Sequence, residues 1–421
     1  MRNPSSRAAH SDKKHHDSLY PFRKILVVIC TLSVLAYALY YKSTPSNLNT
    51  NASDMSEAAY VPEAKAPLVV EKTEIPTFED NEVLIKNEAI PLQPIDAKQA
   101  RIGFIPLKYP AVLGSGVAGT VVGSKNPNFS KGDRVLSNTP TYGTGDNKYG
   151  AFQKYTVGTD LTLRLPDGVT FEKAASLAVN VPVAYSSLFV GLDLPKTAPS
   201  GSAPVLIWGG STSVGGYAIQ LAIKAGYTVV TTASVHNHAY VKSLGAQNIY
   251  TYDQAKEIAS HGPFAGILDN AGTGASHTAI WRVLQELQGK KDVEDTILSL
   301  LPSMAPIEGW PASLVIKFFS YNFSEEPAKE EKQYFWAPGG YYSKIVAEGI
   351  VETPVEIRSG GLQEVEKAVE DLFHGTRKWL VVDHWTFLLP ISFFLFTLPL
   401  FWSGLAYFAN PPASASAAVT E

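Results

Sequence analysis

The sequence predicts a two-domain α/β protein: a small β-rich domain, then a doubly wound parallel sheet, with an apolar segment at either end. Three observations carry this reading. Short apolar strands alternate with helical patterns from Pro204 onward, and β-rich runs broken by Pro, Asn and Gly fill Pro67 to Val135. Two uncharged apolar runs stand outside both regions. The 421 residues are too many for one ordinary core and suit two or three domains. At 45% hydrophobic residues the chain has ample material to fold. Its 35 basic and 39 acidic residues make no basic field, so nucleic acid is not expected as a partner. Cys30 is the sole cysteine, which excludes an internal disulfide framework and any cysteine-rich zinc site.

Taken in order, the first apolar run is Ile25 to Tyr41, preceded by Arg2, Arg7, Lys13, Lys14, Arg23 and Lys24. As a helix its 17 residues reach about 25 Å, just short of a hydrocarbon core, and flanking lysine and arginine can snorkel. The basic flank favours a cytoplasmic N-terminus. A cleaved signal peptide is the rival, because Ala36-Tyr37-Ala38 has the small-x-small form of a cleavage site. The second run, Thr386 to Phe408, has 23 residues without a charge, with Pro390 and Pro399 inside and Trp385, Trp402 and Tyr407 near its ends. It reads as a membrane segment or hairpin, against a hydrophobic tail packed on the protein. Arg377 and Lys378 before it oppose the sidedness that the first run favours, so the side of the membrane stays open. The sequons at Asn51, Asn128 and Asn322 do not decide it. A start at Met55 would remove the first segment and leave a tail anchor.

Between these runs, Ser43 to Glu57 is a polar linker. Pro67–Val70, Glu82–Asn87 and Gly116–Val122 are strands of a β domain with few helices, and Lys131-Gly132-Asp133-Arg134-Val135 is a turn into another. In the second domain Val205–Trp208 and Tyr227–Thr232 are strands around a helix at Val214–Ala225. Asn248–Tyr252, Gly266–Asp269, Thr296–Leu301 and Leu314–Phe318 follow as strands, then a helix over Gly361–Leu372 and a closing strand at Lys378–Val382.

The first of these strands runs into Gly209-Gly210-Ser211-Thr212-Ser213-Val214-Gly215, which opens a helix. Such a turn brings backbone close to a pyrophosphate, and the helix N-terminus offers free N–H groups to it. A threonine, Thr212, stands at the middle glycine position. After the second strand come Ser234-Val235-His236-Asn237, with no acid to grip a ribose 2′-hydroxyl. A carboxylate there would repel a 2′-phosphate, whereas Ser234 and Asn237 can donate to one, so NADP(H) is expected over NAD. Capping of the next helix is the structural alternative for both.

With Gln93-Pro94-Ile95-Asp96-Ala97-Lys98, Tyr109–Gly114, Gly150-Ala151-Phe152 and Leu244-Gly245-Ala246 in the same order, the chain resembles the zinc-free medium-chain dehydrogenase/reductases. It looks particularly like quinone oxidoreductases and fungal trans-acting enoyl reductases. The resemblance implies a GroES-like catalytic domain at 59–186, a Rossmann NADP-binding domain at 187–330, and a return to the first domain at 331–384. Around these stand a tail (1–24), a transmembrane helix (25–41), a linker (42–58), a membrane segment (385–409) and a polar tail (410–421). It also implies Tyr252 near the 2′-phosphate, Asn270 and Gly272 near the nicotinamide ribose, and Lys98 as oxyanion stabiliser or proton donor. A surface lysine is the alternative for Lys98, and Tyr149 and Tyr155 are weaker candidates for the cleft. Gln93 and Ser115-Gly116 replace the ligands of the zinc-dependent branch, so no zinc is expected; Val183 replaces a threonine placed against the nicotinamide in relatives. The implied activity is NADPH-dependent reduction of an activated C=C bond or a quinone. Its substrate would be a small molecule, lipid- or polyketide-like, at a membrane such as the endoplasmic reticulum, and a homodimer is compatible with the family. The competing reading is an inactive, membrane-attached scaffold.

Overall fold

The computed structural model describes residues 56–287, 296–300, 315–318, 328–350, 354–375 and 380–383. The chain divides into two units, Met1–Asp54 and Met55–Glu421, and every element below belongs to the second. Both apolar runs, Met55 and the sequons at Asn51 and Asn322 lie outside the described residues.

The β domain comprises β1 (Ser56–Val61), β2 (Val69–Thr73), β3 (Val83–Leu92), α1 (Pro94–Ile102), β4 (Ala111–Val112), β5 (Gly116–Ser124), β6 (Arg134–Asn138), α2 (Thr141–Thr144), β7 (Tyr155–Gly158) and β8 (Thr162–Arg164). The core is Val83, Ile85, Ile90, Val117, Val121, Val135 and Phe152, all with essentially no exposure. Strand β3 pairs with β5 through two irregularities, and Asn87 between them is buried. Its amide donates to Ala151 O (3.1 Å), Gln153 O (2.6 Å) and Thr156 Oγ1 (2.7 Å), which offsets the cost of burying a polar group there. Helix α1 starts at Pro94, where a missing N–H costs nothing, and stops at Gly103 in a left-handed conformation.

Helix α3 (Phe171–Ser186) leads to the second domain. Thr170 caps it by accepting from the Lys173 N–H at 3.3 Å. The stretch Phe171–Gly191 is long and apolar enough to cross a membrane, yet most of it is buried inside the protein. The second domain follows with β9 (Val205–Trp208), α4 (Ser213–Lys224), β10 (Val229–Thr232), α5 (His238–Ser243), β11 (Asn248–Tyr250), α6 (Ala255–Ala259), β12 (Gly266–Asp269), α7 (Gly274–Leu287), β13 (Thr296–Ser299) and β14 (Val315–Phe318). Its strands are parallel, in the order β11-β10-β9-β12-β13-β14. The strand order reverses between β9 and β12, which opens a crevice at their carboxyl ends. Helices α8 (Ala328–Trp336) and α9 (Tyr341–Glu348) then add buried Phe335, Trp336 and Tyr342 to the core shared with α3.

The chain finally returns to the first domain with β15 (Glu356–Ser359), α10 (Val365–Phe373) and β16 (Leu380–Asp383). Strand β16 lies between β15 and β3, with Leu380 opposite Leu92. Helix α10 packs beside α1 through Arg101, whose guanidinium meets Glu366 at 2.6 Å and Glu370 at 2.8 Å. The architecture is the GroES-like plus Rossmann arrangement that the resemblance implied.

Several boundaries differ from expectation. The strand expected at Asn248–Tyr252 ends at Tyr250, because Gln254 Oε1 accepts from the Thr251 N–H (2.8 Å) and turns the chain. The helix expected from Gly361 begins as a single 3-10 turn over Gly361–Glu364, since Gly360 and Gly361 both have positive φ (138° and 64°). The strand expected at Pro67–Val70 runs Val69–Thr73 instead, because the Leu68 N–H is taken by Glu366 Oε2 at 2.8 Å. Pro94 onward forms α1, one of the few helices of this β domain and one that no pattern in the sequence singled out.

Candidate cofactor and active site

The crevice is built first by the turn after β9. Gly209 adopts φ +78°, a left-handed conformation that a side chain would strain. A Cβ on Gly210 would sit 2.2 Å from Thr231 Oγ1, and one on Gly215 would sit 2.4 Å from Gly209 O. Only glycine lets the backbone fold this tightly. Thr232 of β10 fastens the turn: its Oγ1 accepts from the Gly209 N–H (3.0 Å) and its carbonyl from the Gly210 N–H (2.8 Å).

Thr212 has a definite job here. It is the N-cap of α4, its Oγ1 accepting from the Gly215 N–H (3.0 Å) and donating to Gly209 O (2.9 Å). The side chain is thereby turned into the loop's own hydrogen bonding. The N–H groups of Ser213 and Val214, in the first turn of α4, have no intrahelical acceptor and remain for an anion.

The end of β10 adds the second wall. Ser234 is half-buried just past the end of β10. The Tyr252 ring lies 5.6 Å from that of Trp208, the last residue of β9. Burial pushes the Tyr252 phenol up, so it stays a hydrogen-bond donor at neutral pH. Asn237 donates from Nδ2 to Ser211 Oγ at 3.3 Å, joining the β10 end to the glycine turn. His236 beside it is exposed.

The third wall is the exit of β12. Asn270 donates from Nδ2 to Trp208 O at 3.0 Å, while its Oδ1 is buried without a partner among the described residues. The Asn270 Cβ lies 3.8 Å from where a Gly209 Cβ would be. The structure thus gathers Gly209 to Gly215, Ser234, Asn237, Tyr252 and Asn270 around one crevice. Two glycine cradles, free helix N–H groups and an orphaned buried acceptor fit a dinucleotide in kind and placement.

Lys98 stands apart, on α1 of the β domain. It is half-buried, burial alone holds its ammonium below the usual lysine range, and no described carboxylate pairs with it. Two residues earlier Asp96 is fully buried. Its Oδ2 accepts from the Gln93 N–H (2.7 Å), its Oδ1 accepts from the Tyr142 hydroxyl, and burial pushes its carboxyl up to about 7. Tyr142 lies 46 residues further along the chain, and no local pattern links it to Asp96. Tyr149 does not stand free: its hydroxyl donates to Glu82 Oε1 at 2.5 Å. Tyr155 belongs to β7 and is half-buried, as is Val183 on α3. Among the described residues no three His, Cys, Asp or Glu side chains converge on a metal position.

Comparison with known proteins agrees with this geometry. The alcohol dehydrogenase GroES-like domain model matches residues 79–167. The chain is 31% identical over 350 residues to the dehydrogenase azaJ of Aspergillus niger, covering 77% of this chain and 98% of that one. It is 31% identical over 338 residues to the trans-enoyl reductase tndF of Aspergillus flavipes, covering 76% and 96%. Among solved structures, mycobacterial Rv1454c complexed with NADPH superposes with a TM-score of 0.62 at 23% identity, over 78% of this chain and 99% of that one. A fold and a crevice of this kind, with near-complete coverage of such relatives, establish that the chain belongs to the medium-chain dehydrogenase/reductases, an oxidoreductase family.

Proposed function

We propose that the protein reduces an activated C=C bond, an enone or enoyl thioester, or a quinone, using NADPH and no zinc. The observation that carries the reading is the acid-free end of β10, where Ser234 follows the strand and the Tyr252 ring lies against Trp208. Both hydroxyls donate to a 2′-phosphate that a carboxylate would repel. Relatives named as trans-enoyl reductases support the reaction class.

When bound, the nicotinamide supplies a hydride to the acceptor. The Ser213 and Val214 N–H groups bind the pyrophosphate and the positive end of α4 favours its charge. Asn270 Oδ1 accepts from a ribose hydroxyl. Lys98 stabilises the negative charge that develops on the acceptor oxygen, or returns a proton to it; an ammonium destabilised by burial is the better acid. The donor set supports zinc independence, because Gln93 and Ser115 offer no thiolate, imidazole or carboxylate. The apolar runs 25–41 and 386–408 support attachment to a membrane, where a lipid- or polyketide-like substrate would be met. The scaffold alternative loses one of its supports, since Thr212 completes the turn instead of blocking it.

The test is a fluorescence titration of the full-length protein, in detergent, with NADPH and separately with NADH. Preference for NADPH, followed by NADPH oxidation with enones or quinones, is the expected result. Tight NADH binding would overturn the 2′-phosphate argument, and binding of neither would overturn the enzyme. Alkaline-carbonate extraction of cell membranes checks the attachment: release into the supernatant would remove it.

A further inference from the structure

Behind the crevice lies a buried polar cluster that neither the glycine turn nor Lys98 accounts for. Asp269, the last residue of β12, and His277, in the first turn of α7, are at most 1% exposed. Asp269 Oδ2 accepts from Ser276 Oγ at 2.7 Å and faces His277 Nε2 at 3.2 Å. The same Nε2 is 3.3 Å from Ser299 Oγ, at the end of β13. Asp269 Oδ1 accepts from the Ala271 N–H at 2.9 Å, and the Asp269 carbonyl from the Leu300 N–H at 3.2 Å. A carboxylate oxygen facing a ring nitrogen only accepts, so Nε2 carries the proton and donates. His277 Nδ1 is then left buried with no partner among the described residues.

This arrangement joins three elements at one point: the exits of β12 and β13 and the start of α7. Between them sits Asn270, flanked by the two backbone groups that Asp269 and Trp208 fix. Its orientation is determined, because a carbonyl such as Trp208 O can only accept, so Nδ2 must face it and Oδ1 must face away. Trp208 O thus sets which way the free acceptor faces, and the cluster holds the Asp269–Ala271 backbone that carries Asn270. A buried ring nitrogen left unpaired is destabilising, and a core that needed only filling would be better served by leucine.

We propose that His277 is a positioning residue: through Asp269 and Ser299 it locks the β12 and β13 exits so that Asn270 Oδ1 is aimed at the ribose on the nicotinamide side of the cofactor. This rests on the nicotinamide-cofactor reading above. His277 itself touches neither cofactor nor substrate; it acts on the hydrogen bond that Asn270 makes.

The experiment is calorimetric binding of two ligands to the full-length protein in detergent. One is NADPH. The other is adenosine 2′,5′-bisphosphate, which carries the adenine half and the 2′-phosphate but lacks the second ribose. In His277→Leu, the NADPH Kd is expected to rise about tenfold while that of the bisphosphate stays within a factor of two. His277→Gln, which keeps a donor toward Asp269, should recover most of the loss. Ser299→Ala, a milder change that still folds if His277→Leu does not, should show the same selectivity at about threefold. Equal weakening of both ligands, or no weakening of either, would overturn the proposal while leaving the cofactor site standing. Wild-type protein that binds neither ligand would instead overturn the cofactor reading, and this proposal with it.

Discussion

Asp96 is a carboxyl with no cation beside it among the described residues, held in the interior by two hydrogen bonds. Burial dominates and raises its pKa from 3.8 to about 7, partly countered by Tyr142 and the Gln93 N–H. A group with a raised folded value stabilises fully below its unfolded pKa, and that stability is lost as pH climbs through the folded one. Asp96 therefore lowers stability progressively between about pH 4 and pH 7. Asp96→Asn should remove this slope, so its urea midpoint should gain on that of wild type across the interval. Parallel midpoints across that range would show that Asp96 titrates normally. At Lys98 the expectation is kinetic. Lys98→Met should lower kcat/KM for an enone by about 100-fold or more, the scale for removing one oxyanion donor, while the NADPH Kd holds. An unchanged kcat/KM would return Lys98 to the role of an ordinary surface lysine.

Among elements, the β9–α4 turn was the most legible feature in the sequence, because glycine spacing and strand-then-helix order are both local. Its threonine was misleading for the same reason: spacing alone presents Thr212 as a lost glycine, whereas the fold uses it as a cap. Thr212→Val should cost about 1 kcal/mol of stability, read as a lower urea midpoint, and Thr212→Ser should keep most of it. Gly215→Ala should be worse, since a Cβ there meets Gly209 O at 2.4 Å and backbone cannot step aside. About 1–3 kcal/mol of destabilisation and a weakened NADPH Kd are expected. A Gly215→Ala protein that binds NADPH as wild type does would mean the turn has slack the geometry does not show. What stayed illegible were contacts across long stretches of chain. Tyr142 reaching Asp96, and His277 reaching Ser299, leave no periodicity or spacing behind. The helix α1 was hidden because proline at its first position, preceded by Gln93 as N-cap, reads as a turn.

Across the whole molecule, the two domains are not consecutive beads. The β domain is completed by the last described strand, so the dinucleotide-binding domain is inserted within it. The order of motifs along the chain showed the two domains, and the family resemblance showed the return. No local pattern announced it, because LVVD suits many edges. Ending the chain after Glu348 removes β15, α10 and β16 together, uncovering the Ala89–Leu92 half of one edge of β3 and the α1 face that α10 covers. Such a chain should fail to give soluble, cooperatively melting protein, although every residue of the glycine turn is present. A sharp melting transition with NADPH binding would show that the second domain folds without its frame.

That insertion also imposes an order of events during synthesis. Strand β3 leaves the ribosome nearly three hundred residues before β16, its neighbour in the finished sheet. Strand β7 soon pairs Val83–Lys86 of β3, but at translation rates of about 5–20 residues per second the Ala89–Leu92 half of that side waits roughly 15–60 s for β16. A nascent chain in that interval exposes a hydrophobic strand edge to every other chain on the polysome. Expression yield should therefore depend on chaperone supply and growth temperature more steeply than on the melting temperature of the finished protein.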